Sequence, residues 1–208
     1  MSGLYRIEDQ WDEWYYQKAT PDEKEIYDLI WRSRHLFDDL TLQEGSSTFS
    51  IFEVNDKPDL QWFFKNLIVV VAAFKDPNLL ASYNRKDHFI IVAPQVQTEE
   101  YCFLHEMIHM FDNIYDGISG LRDAVLWRLY YSLQDMINGL DHAILDFTKI
   151  RSLRGINRRP ENPNLFQQKH DTLFLLKSFD LDMRMGYPFG TVLGYGYAEK
   201  FKYLEKVE

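Results

Sequence analysis

The spacing of hydrophobic and polar positions in the first hundred residues predicts short helices and strands in alternation. The sequence TPDE at 20–23 has the composition of a capping box with proline at the first helical position, which predicts a helix over 21–38. Apolar and polar residues alternate over 48–54, as in a strand. The pattern over 60–74 is ambiguous: the first half is compatible with a helix, and the β-branched second half favours a strand. Residues 79–92 predict a hairpin.

Helical spacing dominates the rest of the chain. Thr98, followed by two acidic residues, is a good N-cap for a helix that would contain residues 99–110. Residues 122–148 predict one long amphipathic helix, and a further helix is predicted from residue 164 through His170 to about Phe179. The inner stripe of the long helix consists of Leu126, Leu129, Leu133, Ile137, Leu140 and Ile144.

These elements predict an α+β fold. A small antiparallel or mixed sheet would pack on the helix that contains residues 105–109, with an extra long helix after it. The chain has 208 residues, of which 46% are hydrophobic, so it is long and apolar enough for one domain with a full core. We therefore expect a single domain over 1–208, with 115–165 as a candidate helical insertion.

Charge and apolar runs exclude several classes of protein. The net charge of -9 gives no global attraction to nucleic acid or to an anionic membrane. The longest apolar run, 67–74, is far shorter than the ~20 residues of a transmembrane helix. Residues 1–15 lack the pattern of a secretory signal, so we expect a cytoplasmic location and no membrane partner, and delivery into another cell is also compatible with the sequence. Cys102 is the only cysteine, which excludes an intrachain disulfide and a cysteine-rich zinc site.

The chemistry of the chain is concentrated in the segment Leu104-His105-Glu106-Met107-Ile108-His109. On a helix, His105 and His109 leave the same face and can bind one Zn²⁺ at about 2.0–2.1 Å. Glu106 would then lie beside the ion and act as general base toward a zinc-bound water whose pKa is lowered to about 7. Such a site hydrolyses peptide bonds. The alternative is that these three residues occur by chance on a helix of the core and bind no metal. The predicted strand at 89–92 before the helix favours the zinc site.

Catalytic zinc takes three protein ligands and one open position, so the chain must supply a third ligand. Asp112 lies one turn beyond His109, on a helix whose axis carries it away from the ion. No glutamate occurs between Glu106 and Glu161, which disfavours a glutamate ligand on the next helix. His170 is a further candidate. The candidates on or beside the long predicted helix are Asp123, Asp135, Asp141, His142 and Asp146, of which Asp135 and His142 share a face.

Two motifs resemble the SprT-like (Spartan-related) family of zincin metallopeptidases. In that family a His-Glu-Met-x-His helix follows a strand hairpin, and a third histidine heads a helix as His-x-x-x-Phe. Here 105–109 follow the predicted hairpin, and His170 and Phe174 have the second spacing. The resemblance also covers 21–38 and 48–54. It implies a zincin-like fold, bound Zn²⁺, a protein or peptide substrate, and His170 as the third metal ligand.

Two features of the chain depart from that family. His109 and His170 are 61 positions apart, where the family has about one short loop, so 115–165 would be an inserted helical arm. The family's frequent C-terminal zinc ribbon cannot form with a single cysteine. Other small zincins, such as bacterial effector peptidases, fit the size of the chain equally well.

The sequence therefore predicts a zinc-dependent metalloendopeptidase with Glu106 as general base. The alternative is a catalytically silent zincin-fold binding module that uses the helical arm and basic segment within 122–159. Residues 149–159 contain five cations and no acid, which suits a solvated connector or contact with the phosphates of a nucleic-acid partner. Tyr195 and Tyr197 are candidates for stabilising an oxyanion or for ordinary aromatic packing. These patterns do not encode the substrate, the cleavage site or the oligomeric state.

Overall fold

A computed structural model describes residues 11–40, 60–96, 99–116, 121–156, 170–194 and 196–207. The chain divides into two compact units, residues 1–119 and residues 120–208. The predicted strand at 48–54 lies outside the described residues. The assignment of a single domain to residues 1–208 stays a prediction.

The first unit begins with two helices, α1 (Glu13–Lys18) and α2 (Pro21–Ser33). The predicted capping box is present, because the Thr20 hydroxyl accepts from the Glu23 N–H and the Glu23 carboxylate accepts from the Thr20 N–H. A 3₁₀ helix over Arg34–Leu40 continues α2. The prediction of a helix from residue 21 to about residue 38 is confirmed, with a change of helix type in its last turns.

A three-stranded mixed sheet follows the short helix α3 (Leu60–Lys65) in the first unit. Its central strand β3 (Phe89–Val92) is parallel to β1 (Ile68–Val71) and antiparallel to β2 (Ala81–Asn84). The β-branched residues of β1 and β3 suit such half-buried positions. The strand favoured in the second half of 60–74 and the predicted hairpin are both confirmed, and the ambiguous first half is the helix α3.

Helix α4 (Glu100–Asp116) packs against β2 and α2. Phe111 of α4 stacks on Phe37 with the ring centroids 4.5 Å apart. The sheet with its packed helix confirms the predicted α+β class for this unit. The buried apolar side chains of α4 include Phe103, Leu104, Met107, Ile108, Met110 and Phe111.

The second unit contains α5 (Leu121–Gln134) and α6 (Leu140–Ile156), where the sequence predicts one long helix. That prediction is wrong between the two helices. Gly139 has a φ of 86°, a left-handed conformation that interrupts a right-handed helix and that glycine adopts at no steric cost. Ile137–Asn138 form strand β4, which pairs with β5 (Glu205–Lys206) in antiparallel orientation. The apolar spacing continues through the break because the isoleucine of β4 is buried.

Helix α7 (Thr172–Met185) lies at the core of the second unit, against α5 and α6. All ten residues from Leu173 to Asp182 are buried, so this part of α7 is covered on every face. Asp171 is the N-cap, because its side chain accepts a hydrogen bond from the Phe174 N–H. The predicted helix is therefore wrong at His170, which lies in a bend before the cap, and its predicted residues 164–169 lie outside the described residues.

After α7 the chain continues through the loop at 186–194 and the short helix α8 (Tyr197–Lys200) to β5. Gly190 in this loop has a φ of 94°. A Cβ atom at this position would lie 2.8 Å from the carbonyl carbon of Tyr197. The close approach of the loop to α8 thus requires glycine.

Candidate metal centre

The imidazoles of His105 and His109 lie one turn apart on α4, with ring centroids separated by 5.2 Å. The four-residue spacing directs both rings from the same face of the helix. Both residues are half-buried, whereas Leu104 and Ile108, which precede them in the chain, are buried in the core. Packing of α4 therefore fixes the helix and leaves the two rings partly accessible to solvent.

His170 is held by the start of α7. Its ring meets the ring of Phe174 edge-on, with the centroids 4.5 Å apart. The next residue, Asp171, accepts from the Phe174 N–H at 3.1 Å with one carboxylate oxygen and pairs with Arg122 of α5 through the other. The cap and the ion pair together fix the backbone beside His170.

His105, His109 and His170 form the group of potential metal ligands found among the described residues. One ligand nitrogen from each lies within 4.8 Å of the other two, and all three side chains are half-buried. A tetrahedral ion with bonds of about 2.0–2.1 Å holds its ligand nitrogens about 3.4 Å apart, a separation within that 4.8 Å limit. Three imidazoles therefore fit Zn²⁺. Imidazole also suits copper, iron and nickel, so the donor set indicates a metal site without selecting one element.

The other predicted third ligands do not join this group in the described part of the chain. His142 is exposed, and its Nε2 lies 3.2 Å from Oδ2 of Asp146. Asp135 is exposed in the turn after α5. The helix break places these two candidates on different elements, so the face that they were predicted to share does not exist. The role of His170 as a ligand stays a prediction with which its position is compatible.

Glu106, the predicted general base, is 6% exposed. Its Oε2 accepts a hydrogen bond of 2.5 Å from the backbone N–H of Tyr83 in β2. This hydrogen bond fixes the direction of the side chain. The carboxylate thus has a defined orientation beside His105, the residue that precedes it. Its catalytic role stays a prediction.

Cys102 lies one turn before Glu106 on α4 and is buried. Burial raises the pKa of its thiol to about 11, although the hydrogen bond with Tyr101 opposes the rise. A thiol that keeps its proton at neutral pH is a poor nucleophile and a poor metal ligand. The chemistry of the site therefore depends on the imidazoles and on Glu106.

Sequence reasoning missed the residues that hold the candidate site in place. Asp171 had a local signal, since an aspartate before an apolar helical run is a typical N-cap. Tyr83 had none, because it is 23 residues from Glu106 and meets it only through the pairing of β2 with the rest of the sheet. Arg122 is likewise 49 residues from its partner.

Several predictions concern regions that the structure describes only in part. The basic segment 149–159 begins in α6 and ends outside the described residues, so its contact with phosphates stays a prediction. Tyr195 also lies outside them. Tyr197 is buried and stacks on Phe201 with the centroids 5.8 Å apart, which supports aromatic packing for this residue. Among the helices of the described segments, none is long and apolar enough to cross a membrane.

Comparisons with known proteins leave the family of the chain open. A scan against protein-family models and searches of curated proteins and of solved structures found no match. The similarity to SprT-like zincins therefore depends on the residues of the motifs at 105–109 and 170–174.

Proposed function

We propose that the chain is a zinc-dependent metalloendopeptidase of the zincin class, similar to the SprT-like family and acting on protein or peptide substrates. The observation that carries the proposal is the approach of three imidazole nitrogens to within 4.8 Å of one another, with a buried glutamate on the same helix as two of them. Structural zinc sites have four protein ligands, whereas catalytic sites have three and one open position. Three histidines therefore favour catalysis over a structural role.

The side chains have separate tasks in this proposal. His105, His109 and His170 would hold the ion, and their partial exposure leaves room for a substrate. When bound, zinc lowers the pKa of coordinated water and polarises the substrate carbonyl. Because the Tyr83 N–H occupies Oε2 of Glu106, the proton from water would go to Oε1. Glu106 would then pass that proton to the leaving amine.

Hydrolysis of a fluorescently labelled unfolded protein such as casein tests the proposal. We expect activity in the zinc-loaded parent chain, loss on chelation and recovery when zinc is restored. Glu106→Gln should lower the rate by about 10²–10⁴-fold with unchanged zinc content. Asp146→Asn, which alters a carboxylate of α6 outside the proposed site, is the matched control and should keep the parent rate. Equal rates for Glu106→Gln and the parent would refute the mechanism.

The second candidate is a catalytically silent binding module that uses the helical arm. Exposed aromatic side chains on α5 favour it, since Trp127 is 46% exposed and Tyr131 is 53% exposed, and their rings stack at 5.8 Å. Aromatic residues are enriched at protein interfaces. This candidate predicts that the chain binds zinc and hydrolyses no unfolded protein, so the same assay separates the two functions.

A further inference from the structure

The backbone amide of Tyr83 points away from its own sheet. The Leu80 carbonyl accepts from the Ala93 N–H at 2.8 Å. Hydrogen-bonded pairs alternate along an antiparallel ladder, so Ser82 faces β3 and Tyr83 faces outward. Strand β2 lies at the edge of the described sheet, and this outward amide is the one that donates to Glu106. The bond therefore joins the edge of the sheet to α4 within the candidate site.

The side chain of Tyr83 is attached to α4 as well. Its hydroxyl oxygen lies 3.1 Å from Nδ2 of Asn113, which is on α4, and 2.9 Å from Nδ1 of His88. Burial raises the pKa of Tyr83, although the bond from Asn113 opposes the rise, so the phenol keeps its proton at neutral pH. Tyr83 thus contacts α4 at Glu106 through its backbone and two turns later at Asn113 through its hydroxyl.

His88 fixes the direction of these hydrogen bonds. Its Nε2 lies 2.7 Å from the carbonyl oxygen of Phe63, which can only accept, so Nε2 carries a proton. Burial lowers the pKa of His88, although the bond to Phe63 opposes the fall, so the ring is neutral at pH 7 and Nδ1 is an acceptor. The Tyr83 hydroxyl therefore donates to Nδ1 and accepts from Asn113. This assignment gives each of the three hydrogen bonds one donor and one acceptor.

The backbone of His88 is unusual too. Its φ is 51°, a left-handed conformation that is unfavourable for a residue with a side chain and that persists where the surroundings hold it. The His88 carbonyl also accepts from the Ile68 N–H of β1 at 3.1 Å. His88 therefore connects the hairpin turn to β1, to α3 through Phe63, and to the Tyr83 hydroxyl.

We propose that Tyr83 is a positioning residue for Glu106 and that His88 and Asn113 support it. The bonded phenol sets where β2 lies against α4, and the backbone amide of the same residue then sets the direction of the carboxylate. The part of this inference that concerns catalysis rests on the proposed function. If the network only stabilised the hairpin, removal of the Tyr83 hydroxyl would not weaken the hydrogen bond between the Tyr83 N–H and the Glu106 carboxylate.

Amide hydrogen exchange at position 83 measures this bond directly and needs no activity. Glu106→Ala should accelerate exchange there, because it removes the acceptor. Tyr83→Phe keeps the ring and removes the hydroxyl, and exchange at position 83 should rise by about tenfold, the effect of one lost hydrogen bond. The Ser82 amide, which faces β3, is the internal control and should exchange as in the parent chain. Unchanged exchange at position 83, or an equal rise at Ser82, would overturn the inference.

Steady-state kinetics give the second readout. Tyr83→Phe should lower kcat by about tenfold, keep KM within about twofold and leave the zinc content unchanged. Tyr203→Phe changes an exposed tyrosine between α8 and β5, outside the proposed site, and serves as the matched control. An unchanged kcat in Tyr83→Phe would overturn the positioning role. If the parent chain hydrolyses nothing, the proposed function fails, and exchange at position 83 still decides whether the network holds Glu106.

Discussion

Glu106 in the first unit and Asp182 in the second are both buried carboxylates that backbone amides hold in place. Glu106 accepts from the Tyr83 N–H, 23 residues away in the chain. Asp182 accepts from the Gly190 N–H at 2.6 Å on one oxygen and from the Val192 N–H at 2.9 Å on the other. Each acid therefore satisfies the rule that buried polar groups have hydrogen-bond partners.

The difference between the two acids lies in their neighbours. Imidazoles that can bind a metal flank Glu106 along α4. Asp182 follows the buried ion pair of Lys177 and Asp180 on α7, and its donors belong to the loop after the same helix. Asp182 thus fixes a loop, whereas Glu106 lies between two candidate metal ligands on α4. Burial of an acid does not by itself mark a catalytic residue.

Replacement of Asp182 by its amide should have a large effect on stability. In Asp182→Asn the new NH₂ group faces one of the two amide donors, so one buried N–H loses its acceptor. We expect the free energy of unfolding of the second unit to fall by about 1–3 kcal/mol in urea denaturation at pH 6. Burial raises the pKa of Asp182 to about 7, although the loop amides oppose the rise, so at pH 6 the parent side chain is mostly uncharged as well.

Glu106→Gln is the matched control for that experiment. Glutamine keeps one carbonyl oxygen for the Tyr83 donor, so we expect the free energy of unfolding to change by less than about 1 kcal/mol. The same variant should lose hydrolysis. A greater loss of stability in Glu106→Gln than in Asp182→Asn would contradict the distinction between the two acids.

The N-caps of α7 and α2 sharpen the comparison at a smaller scale. Asp171→Ala removes the acceptor of the Phe174 N–H, and Thr20→Ala removes that of the Glu23 N–H. Thr20→Ala should lower the free energy of unfolding by about 1 kcal/mol, measured by thermal denaturation, and Asp171→Ala should lower it by more, because it also removes the ion pair with Arg122. Only Asp171→Ala should also weaken zinc binding, by about tenfold, because this cap fixes the backbone beside His170. Equal zinc affinities in the two variants would count against His170 as a ligand.

The smallest expected effect is on the pH dependence of stability. Burial lowers the pKa of His88 below its usual value of 6.5. Below pH 6.5 the His88 side chain binds a proton more readily in the unfolded chain than in the folded chain. The contribution of His88 to the free energy of unfolding is therefore fully present above pH 6.5 and is lost as the pH falls through the folded pKa. Asparagine tolerates positive φ and does not titrate.

We therefore expect the stability advantage of the parent chain over His88→Asn to shrink between about pH 7 and about pH 5. Urea denaturation at several pH values measures it. A constant difference over this range would show that the ring is not held neutral by burial.

Elements with local signals could be predicted from the sequence. The capping box at 20–23, the hairpin at 79–92 and the helix of 105–109 are each specified within a few residues. The break between α5 and α6 could not be predicted, because the apolar spacing continues through it and Gly139 alone does not distinguish a helix end from a tolerated glycine.

Most contacts within the candidate site depend on tertiary structure and could not be predicted from the sequence. Only the resemblance indicates His170 as a ligand, since nothing local relates it to His109, 61 positions earlier. The bond between Tyr83 and Glu106 depends on which strand lies at the edge and on its register, which an alternating pattern does not specify for paired strands. In the sequence Asp182 is an ordinary acidic residue of a helix, and its hydrogen bonds to the loop amides of Gly190 and Val192 follow only from the tertiary structure.

Zinc binding, measured by competition with a chelating dye, tests the central claim most directly. We predict that the parent chain binds one ion and that His142→Ala binds it with the parent affinity. Loss of a residue that only orients a metal ligand lowers the affinity for zinc by roughly 10–100-fold. His170→Ala removes a ligand itself and should lower the affinity by more than this. A parent chain that binds no zinc, or a His170→Ala variant that binds it as tightly as the parent, would contradict the three-histidine metal site.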